Sequence, residues 1–88
     1  MVNRPRQVIM MFLGGRLDHA TRPVIASVIE PARPAAPRYK VPARYGEPDD
    51  FYQIHRIDIE GLRPWWVYIL EGYAPPREHI LHTNPYPT

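Results

Sequence analysis

The chain lacks cysteine and has few hydroxyl side chains other than tyrosine. Without cysteine among its 88 residues, the protein has neither a disulfide framework nor a thiolate zinc site. The only serine, Ser27, lies in an apolar run without a glycine elbow, so no nucleophilic serine is indicated. An Asp–His pair through Asp18 or Asp58 would be the only plausible catalytic dyad. We therefore expect a protein that is not an enzyme and needs no cofactor.

Long hydrophobic runs are also missing. The apolar run Val8 to Leu13 is too short for a signal-peptide core, and a membrane span needs roughly 20 residues. We expect a soluble, cytoplasmic protein that does not bind a membrane. A single domain of 88 residues buries only a small core, so self-association or docking on a larger body is expected to add stability.

The charges are distributed unevenly along the chain. The formal net charge is +2, but residues 1–44 hold eight Lys/Arg against two acids (+6), and residues 45–88 hold three against seven (−4). This dipole could bind an anion at one end, or it could join two copies head to tail. A net charge this small argues against broad nucleic-acid binding.

Two β-hairpins are predicted. Residues 7–13, "QVIMMFL", lead into Gly14 and Gly15, and residues 24–30, "VIASVIE", would return as the second strand of a hairpin over 7–30. The second hairpin, 51–72, has strands 51–60 and 65–72 around the turn 61–64. Both faces of 65–72 are apolar, which predicts a central or covered strand. The phase of Ile54 differs from that of Ile57, which predicts a bulge near His55 and Arg56.

Proline separates the remaining segments. Residues 31–48 carry five prolines, which exclude an interior strand or a helix, so we expect an extended arm fixed to the body by Tyr39, Val41 and Tyr45. Residues 73–88 form a tail with a short helical turn or edge strand around Ile80 and Leu81. The expected fold is mainly β: one domain, 1–88, with a small antiparallel sheet or half-barrel of two hairpins and a proline-rich extended arm.

The glycine turn, "FLGGRLDH", has two interpretations. Its main-chain N–H groups, with Arg16 and Arg22 nearby, could hold a phosphate. Alternatively the turn is structural, and Asp18 caps the exposed amides. The turn has no Gly-Lys-Ser/Thr sequence after it and lacks the spacing of a dinucleotide fingerprint.

Histidine and aromatic residues supply the other candidate sites. His79 and His82 could share a helical face and bind zinc with Glu78 or Asp18, but no second ligand cluster supports this, so no metal is expected. Three aromatic side chains beside arginines, including Arg63, could stack a nucleobase. The alternative is that these rings fill the core or an oligomer interface. The stacking candidates are Tyr52, Trp66 and Tyr68, with Arg56 beside them.

The segments "GGRLDHATRPV" and "YQIHRIDIEGLRPWWVYILEG" resemble a group of small, mostly uncharacterised proteins from actinobacteria and their phages. In that group a strand runs into a "GGPLDG"-type turn, and a closing hairpin ends in "Y-x-x-x-G". The matching residues here are Gly14, Gly15, Leu17, Asp18, Tyr52, Tyr68 and Gly72. Arg16 stands where proline is usual, and His19 where the second turn glycine is usual. The resemblance implies a phage-type accessory protein with a small β fold and no agreed activity.

These observations favour a non-catalytic accessory binding protein that forms a homo-oligomer and binds a small anionic or nucleotide ligand. The predicted ligand-binding residues are Arg16, Asp18, His19, Arg22, Tyr52, Arg56, Trp66 and Tyr68. The alternative is a structural subunit, cytoplasmic or virion-associated, that docks on a large assembly through residues 31–48 and the tail. A nucleic-acid-binding module is the weaker alternative.

Overall fold

A five-stranded mixed sheet forms the body of the protein. The computed structural model describes residues 6–27 and 31–86. The strand order is β2-β1-β5-β4-β3, and the strands are β1 Arg6–Leu13, β2 Thr21–Ala26, β3 Arg38–Val41, β4 Asp50–Ile57 and β5 Trp65–Leu70. A 3-10 turn spans Gly15–Leu17, and the helix α1 spans Arg77–His82. The predicted mainly β fold is confirmed, and its form is a half-barrel.

Both predicted hairpins are present, and the contact between them is a parallel pair of strands. β1 pairs antiparallel with β2, and β4 pairs antiparallel with β5. β1 and β5 run parallel where Phe12 pairs with Tyr68 and Leu13 with Ile69. The sheet is therefore mixed rather than antiparallel.

The first hairpin begins its second strand earlier than the apolar run indicates. β2 starts at Thr21 and contains Pro23, which pairs with Ile9. Proline is tolerated because β2 is the edge strand of the sheet and needs no outward N–H donor. Residues 28–30 of the predicted strand lie outside the described residues.

The predicted bulge near His55 and Arg56 is wrong. The register of β4 on β5 is continuous from Tyr52↔Leu70 to Ile57↔Trp65. Ile54 and Ile57 differ in phase because the two faces of the sheet are covered by different clusters. Ile54 packs on one cluster, and Ile57 packs on the other.

The core consists of these two clusters, on opposite faces of the sheet. The larger one contains buried Met10, Phe12, Leu17, Val24, Tyr52 and Tyr68. The smaller one contains Leu13, Val67 and Ile69, and Ile80 of α1 packs against it. Since β5 contributes Tyr68 to one cluster and Val67 to the other, its two apolar faces are explained by its central position in the sheet.

The proline-rich arm contributes the other edge strand. Residues Arg38–Val41 pair with β4 as β3, and Pro34 forms an isolated bridge with Ala26 of β2. Tyr39 and Val41 pack against the larger cluster as expected. Tyr45 does not fix the arm, because its side chain is fully exposed at 106% of its reference area. No helix among the described residues is both long and apolar enough to cross a membrane.

Candidate functional site

Side chains of the protein itself bind three amides of the glycine turn, those of Gly14, Arg16 and Leu17. Gly14 N–H donates to Asp18 Oδ1 (2.7 Å), and Arg16 N–H donates to Asp50 Oδ2 (2.9 Å). Leu17 N–H donates to the Tyr52 hydroxyl (3.0 Å), which in turn donates to the Gly14 carbonyl (2.6 Å). The Gly14 amide also holds the pKa of Asp18 below its usual value. These contacts support the structural interpretation of the turn over phosphate binding.

The Arg16 side chain is engaged in the same way. Its guanidinium contacts the carboxylates of Glu47 (2.7 Å) and Asp50 (3.0 Å), and it donates to the Pro48 carbonyl (3.2 Å). The hydrogen bond to Glu47 raises the Arg16 pKa above its ordinary value. An incoming anion would have to displace two carboxylates. Arg22 lies apart, in a shallow depression that it lines with Lys40 and that Arg16 does not reach.

The predicted stacking residues do not form one surface. Tyr52 and Tyr68 are fully buried, and burial raises the pKa of both phenols. The Tyr68 ring stacks on Phe12 with centroids 4.9 Å apart, so neither tyrosine offers a face to a ligand. The burial of Tyr52 and Tyr68 agrees with the alternative interpretation, in which these rings fill the core. Trp66 is half-buried, and Arg33 lies over its ring at 5.2 Å.

Arg56 is paired as well. Its Nε lies 2.9 Å from Asp58 Oδ2, on the exposed part of β4 and the loop that follows it. The eight predicted site residues are therefore spread over the turn, β2, the core and the second hairpin, and the structure does not bring them together in one pocket.

A cleft opens between β1 and β5 instead. Phe12 N–H donates to the Ala20 carbonyl (2.9 Å), so the main-chain groups of even-numbered β1 residues point towards β2 and those of odd-numbered residues towards β5. β5 pairs with β1 only at Phe12 and Leu13. Within residues 6–27 and 31–86, the main chain of Ile9 thus has no strand partner on this side. The resulting cleft has a volume of about 160 Å³, with walls that include Val8–Met11, Trp65 and Trp66.

Beside this cleft, one face of the first hairpin is largely exposed and carries no charged side chain. We call it the hairpin face, and it consists of Gln7, Ile9, Met11, Thr21, Pro23 and Ile25. The register places these side chains on one side of β1 and β2. Leu13 continues the same face into the smaller core cluster, which Ile80 of α1 covers. Ile9 is 65% exposed and Ile25 is 47% exposed, so this part of the sheet has no such cover from the described residues.

The apolar run of β1 is the sequence feature that relates to this face. A continuous apolar run in β1 predicts that both of its faces are covered, as happens in β5. Over most of its length, β1 packs against a core cluster on one face only, the face of its even-numbered residues. An apolar run on a hairpin at the edge of the sheet therefore indicates an exposed apolar face.

Three of the four histidines meet where α1 packs on the turn. The His19 ring lies 4.9 Å from the His79 ring and 6.3 Å from the His82 ring, between centroids. His19 Nδ1 is 3.1 Å from Asp18 Oδ2. His79 Nδ1 is buried and has no hydrogen-bond partner among the described residues. In the part of the chain that the structure describes, no three His, Asp or Glu side chains are already arranged to hold a metal ion.

Comparison of the chain with protein-family models, curated proteins and solved structures found no match. The resemblance carried by the turn and the second hairpin therefore stays a prediction.

Proposed function

We propose that this chain is a non-catalytic structural protein that assembles with a second copy of itself through the hairpin face. The observation that carries this proposal is the exposure of Ile9 and Ile25, at 65% and 47%. Ile9 pairs with Pro23, and Gln7 pairs with Ile25, so the two isoleucines are diagonal neighbours on one face. Apolar side chains grouped in this way on a small protein mark an interaction surface.

The lack of charge on the hairpin face favours a second copy as the partner. In a two-fold symmetric dimer the same patch lies on both subunits, so a charged patch would bring like charges together. The chain is 23% charged residues overall, yet none of the six hairpin-face residues is Asp, Glu, Lys or Arg. Two such faces can pack together without electrostatic repulsion.

Features of β2 favour packing through the face over strand addition at the edge. Pro23 has no N–H to donate to a neighbouring strand. The outward carbonyl of Ile25 already accepts a hydrogen bond from Ala35 N–H (2.8 Å). The β2 edge is thus blocked in its middle and at its end, as is usual for protected edges.

Oligomeric state tests the proposal. Sedimentation velocity over a series of protein concentrations should show a dimer for the wild type. Ile9→Lys or Ile25→Lys should weaken dimerisation by about 100-fold, because each variant removes two buried isoleucines and buries two charges per dimer. Circular dichroism establishes that each variant is folded.

Leu62→Lys is the matched control. Leu62 is 37% exposed and lies in the loop between β4 and β5, outside the hairpin face. This variant should dimerise like the wild type. A wild type that is monomeric at every concentration would overturn the proposal, and so would an Ile9→Lys protein that dimerises as the wild type does.

Nucleotide binding at the glycine turn stays a prediction without support from the contacts of Arg16. Docking of the dimer on a virion or another large assembly also stays a prediction, and it is compatible with the self-association proposed here.

A further inference from the structure

The histidine cluster, His19, His79 and His82, joins two parts of the chain that are distant in sequence. His19 belongs to the turn after β1, whereas His79 and His82 belong to α1 near the end of the chain. The fourth histidine, His55, is an exposed residue of β4. Sequence spacing alone shows only the His79–His82 pair, so the third imidazole is a product of the fold.

The separation of the His19 and His79 rings suits a shared metal ion, whereas that of the His19 and His82 rings is longer than such a site requires. Zn–N bonds are about 2.0–2.1 Å long, so two imidazoles on one tetrahedral zinc ion have centroids about 5 Å apart. His19 and His79 are separated by 4.9 Å, and His19 and His82 by 6.3 Å. His79 and His82 are three residues apart on α1, which places them on one helix face.

The hydrogen bonds of the cluster also leave ligand atoms available. Asp18 Oδ2 lies 3.1 Å from His19 Nδ1, an arrangement in which the carboxylate accepts the Nδ1 proton and leaves the Nε2 lone pair free. Metal-ligating histidines are commonly oriented by a carboxylate in this way. His79 Nδ1 is buried with no partner among the described residues, and such a nitrogen carries an uncompensated desolvation cost.

The backbone of His19 lies in the left-handed region. His19 has a φ of 62°, and the other described residues with positive φ are all glycines. Residues other than glycine seldom adopt this region. In this conformation the His19 ring contacts the His79 ring of α1.

We propose that His19, His79 and His82 bind one transition-metal ion of the Zn²⁺ class, with Asp18 orienting His19. Imidazole nitrogen suits Zn²⁺, Cu²⁺ and Ni²⁺, and water would complete a tetrahedral shell. The three side chains are not yet arranged around one point, so binding requires rotation of the imidazole rings. The bound ion ties α1 to the turn and thereby secures Ile80 over the smaller core cluster.

Metal titration of the full chain, purified without a polyhistidine tag, tests the proposal. Calorimetry with Zn²⁺ should give one ion per chain, and Co²⁺ should give the visible absorption of a tetrahedral site. His19→Asn and His82→Gln should each weaken Zn²⁺ binding at least tenfold. Asparagine suits position 19 because it tolerates positive φ.

His55→Gln is the matched control, because it removes a histidine outside the cluster, and it should bind Zn²⁺ like the wild type. Zn²⁺ should raise the melting temperature of the wild type and of His55→Gln, but not that of His19→Asn. The proposal is overturned if the wild type binds no Zn²⁺ in a saturable way. It is also overturned if His55→Gln weakens binding as much as the cluster variants do.

Discussion

The two ends of β1 differ in how completely their chemical groups are satisfied. At the carboxyl end Phe12 and Leu13 are buried, and the turn that follows has its amides bound by Asp18, Asp50 and Tyr52. At the amino end Ile9 is 65% exposed. We call the carboxyl end, with the turn that resembles a ligand-binding motif, the closed end, because its side chains are buried and its turn amides are bonded within the protein. The amino end has no such motif and exposes apolar surface.

The turn after β1 shows how a sequence that suggests ligand binding can be used for internal contacts instead. Glycine, arginine and aspartate in a turn suggest anion binding when they are read as sequence. In the structure the anions are the carboxylates of Asp18, Glu47 and Asp50, which the chain supplies itself. The contacted turn amides and Arg16 are therefore not free to bind an anion from outside the chain.

Among the variants considered, Tyr52→Phe should destabilise the closed end the most. The variant leaves Leu17 N–H and the Gly14 carbonyl, both bonded to the Tyr52 hydroxyl, without that partner in a buried place. We expect a loss of about 3 kcal/mol in the free energy of unfolding, measured by urea denaturation at one fixed protein concentration. Tyr45→Phe, at a fully exposed position, should leave that free energy unchanged. Equal stability of the two variants would show that the turn does not depend on this hydroxyl.

Gly15→Ala should have the next largest effect. A Cβ at Gly15 would lie 2.6 Å from Asp50 Oδ2 and 2.8 Å from the Tyr52 hydroxyl, at a φ of 62°. Gly61→Ala is matched, since Gly61 has a φ of 85° with nothing within 4 Å of its Cβ position. The backbone strain of about 1 kcal/mol is common to both variants, so Gly15→Ala should lose about 1 kcal/mol more in urea denaturation. Equal losses would mean that the carboxylate contacts of the turn contribute little.

Acid should weaken the closed end by a smaller amount. The folded protein lowers the pKa of Asp18, chiefly through the Gly14 amide. A lowered pKa contributes stability at pH values above the unfolded pKa of about 3.9, and that stability is lost as pH falls through the folded pKa. The free energy of unfolding should therefore decrease below about pH 4, and the decrease should be shallower in Asp18→Asn. An identical pH profile for the two proteins would contradict this assignment.

Local pattern predicted the fold better than it predicted the site. Alternation and turn residues located both hairpins, because those signals act between neighbouring residues. The parallel contact of β1 with β5 was not predicted, since it depends on how two hairpins pack. The bulge near His55 was wrong for the same reason: a change of apolar phase in β4 reflects cover on both faces of the sheet.

The candidate site was only partly predictable. Sequence identified Asp18 as a possible cap for the turn, and the contact with Gly14 N–H has that form. It did not reveal that Glu47 and Asp50 neutralise Arg16, because these residues are more than 30 positions away and meet only in the folded chain. The exposure of Ile9 likewise depends on which side of β1 the core occupies.

Because the chain has no cysteine, disulfide cross-linking of single-cysteine variants is the most direct test of association through the hairpin face. Position 7, changed in Gln7→Cys, lies on the hairpin face beside Ile25. Position 62, changed in Leu62→Cys, lies on a loop outside that face. Under mild oxidation, Gln7→Cys should form a covalent dimer on a non-reducing gel much faster than Leu62→Cys at the same concentration. Equal, slow cross-linking of both variants would contradict self-association through the hairpin face.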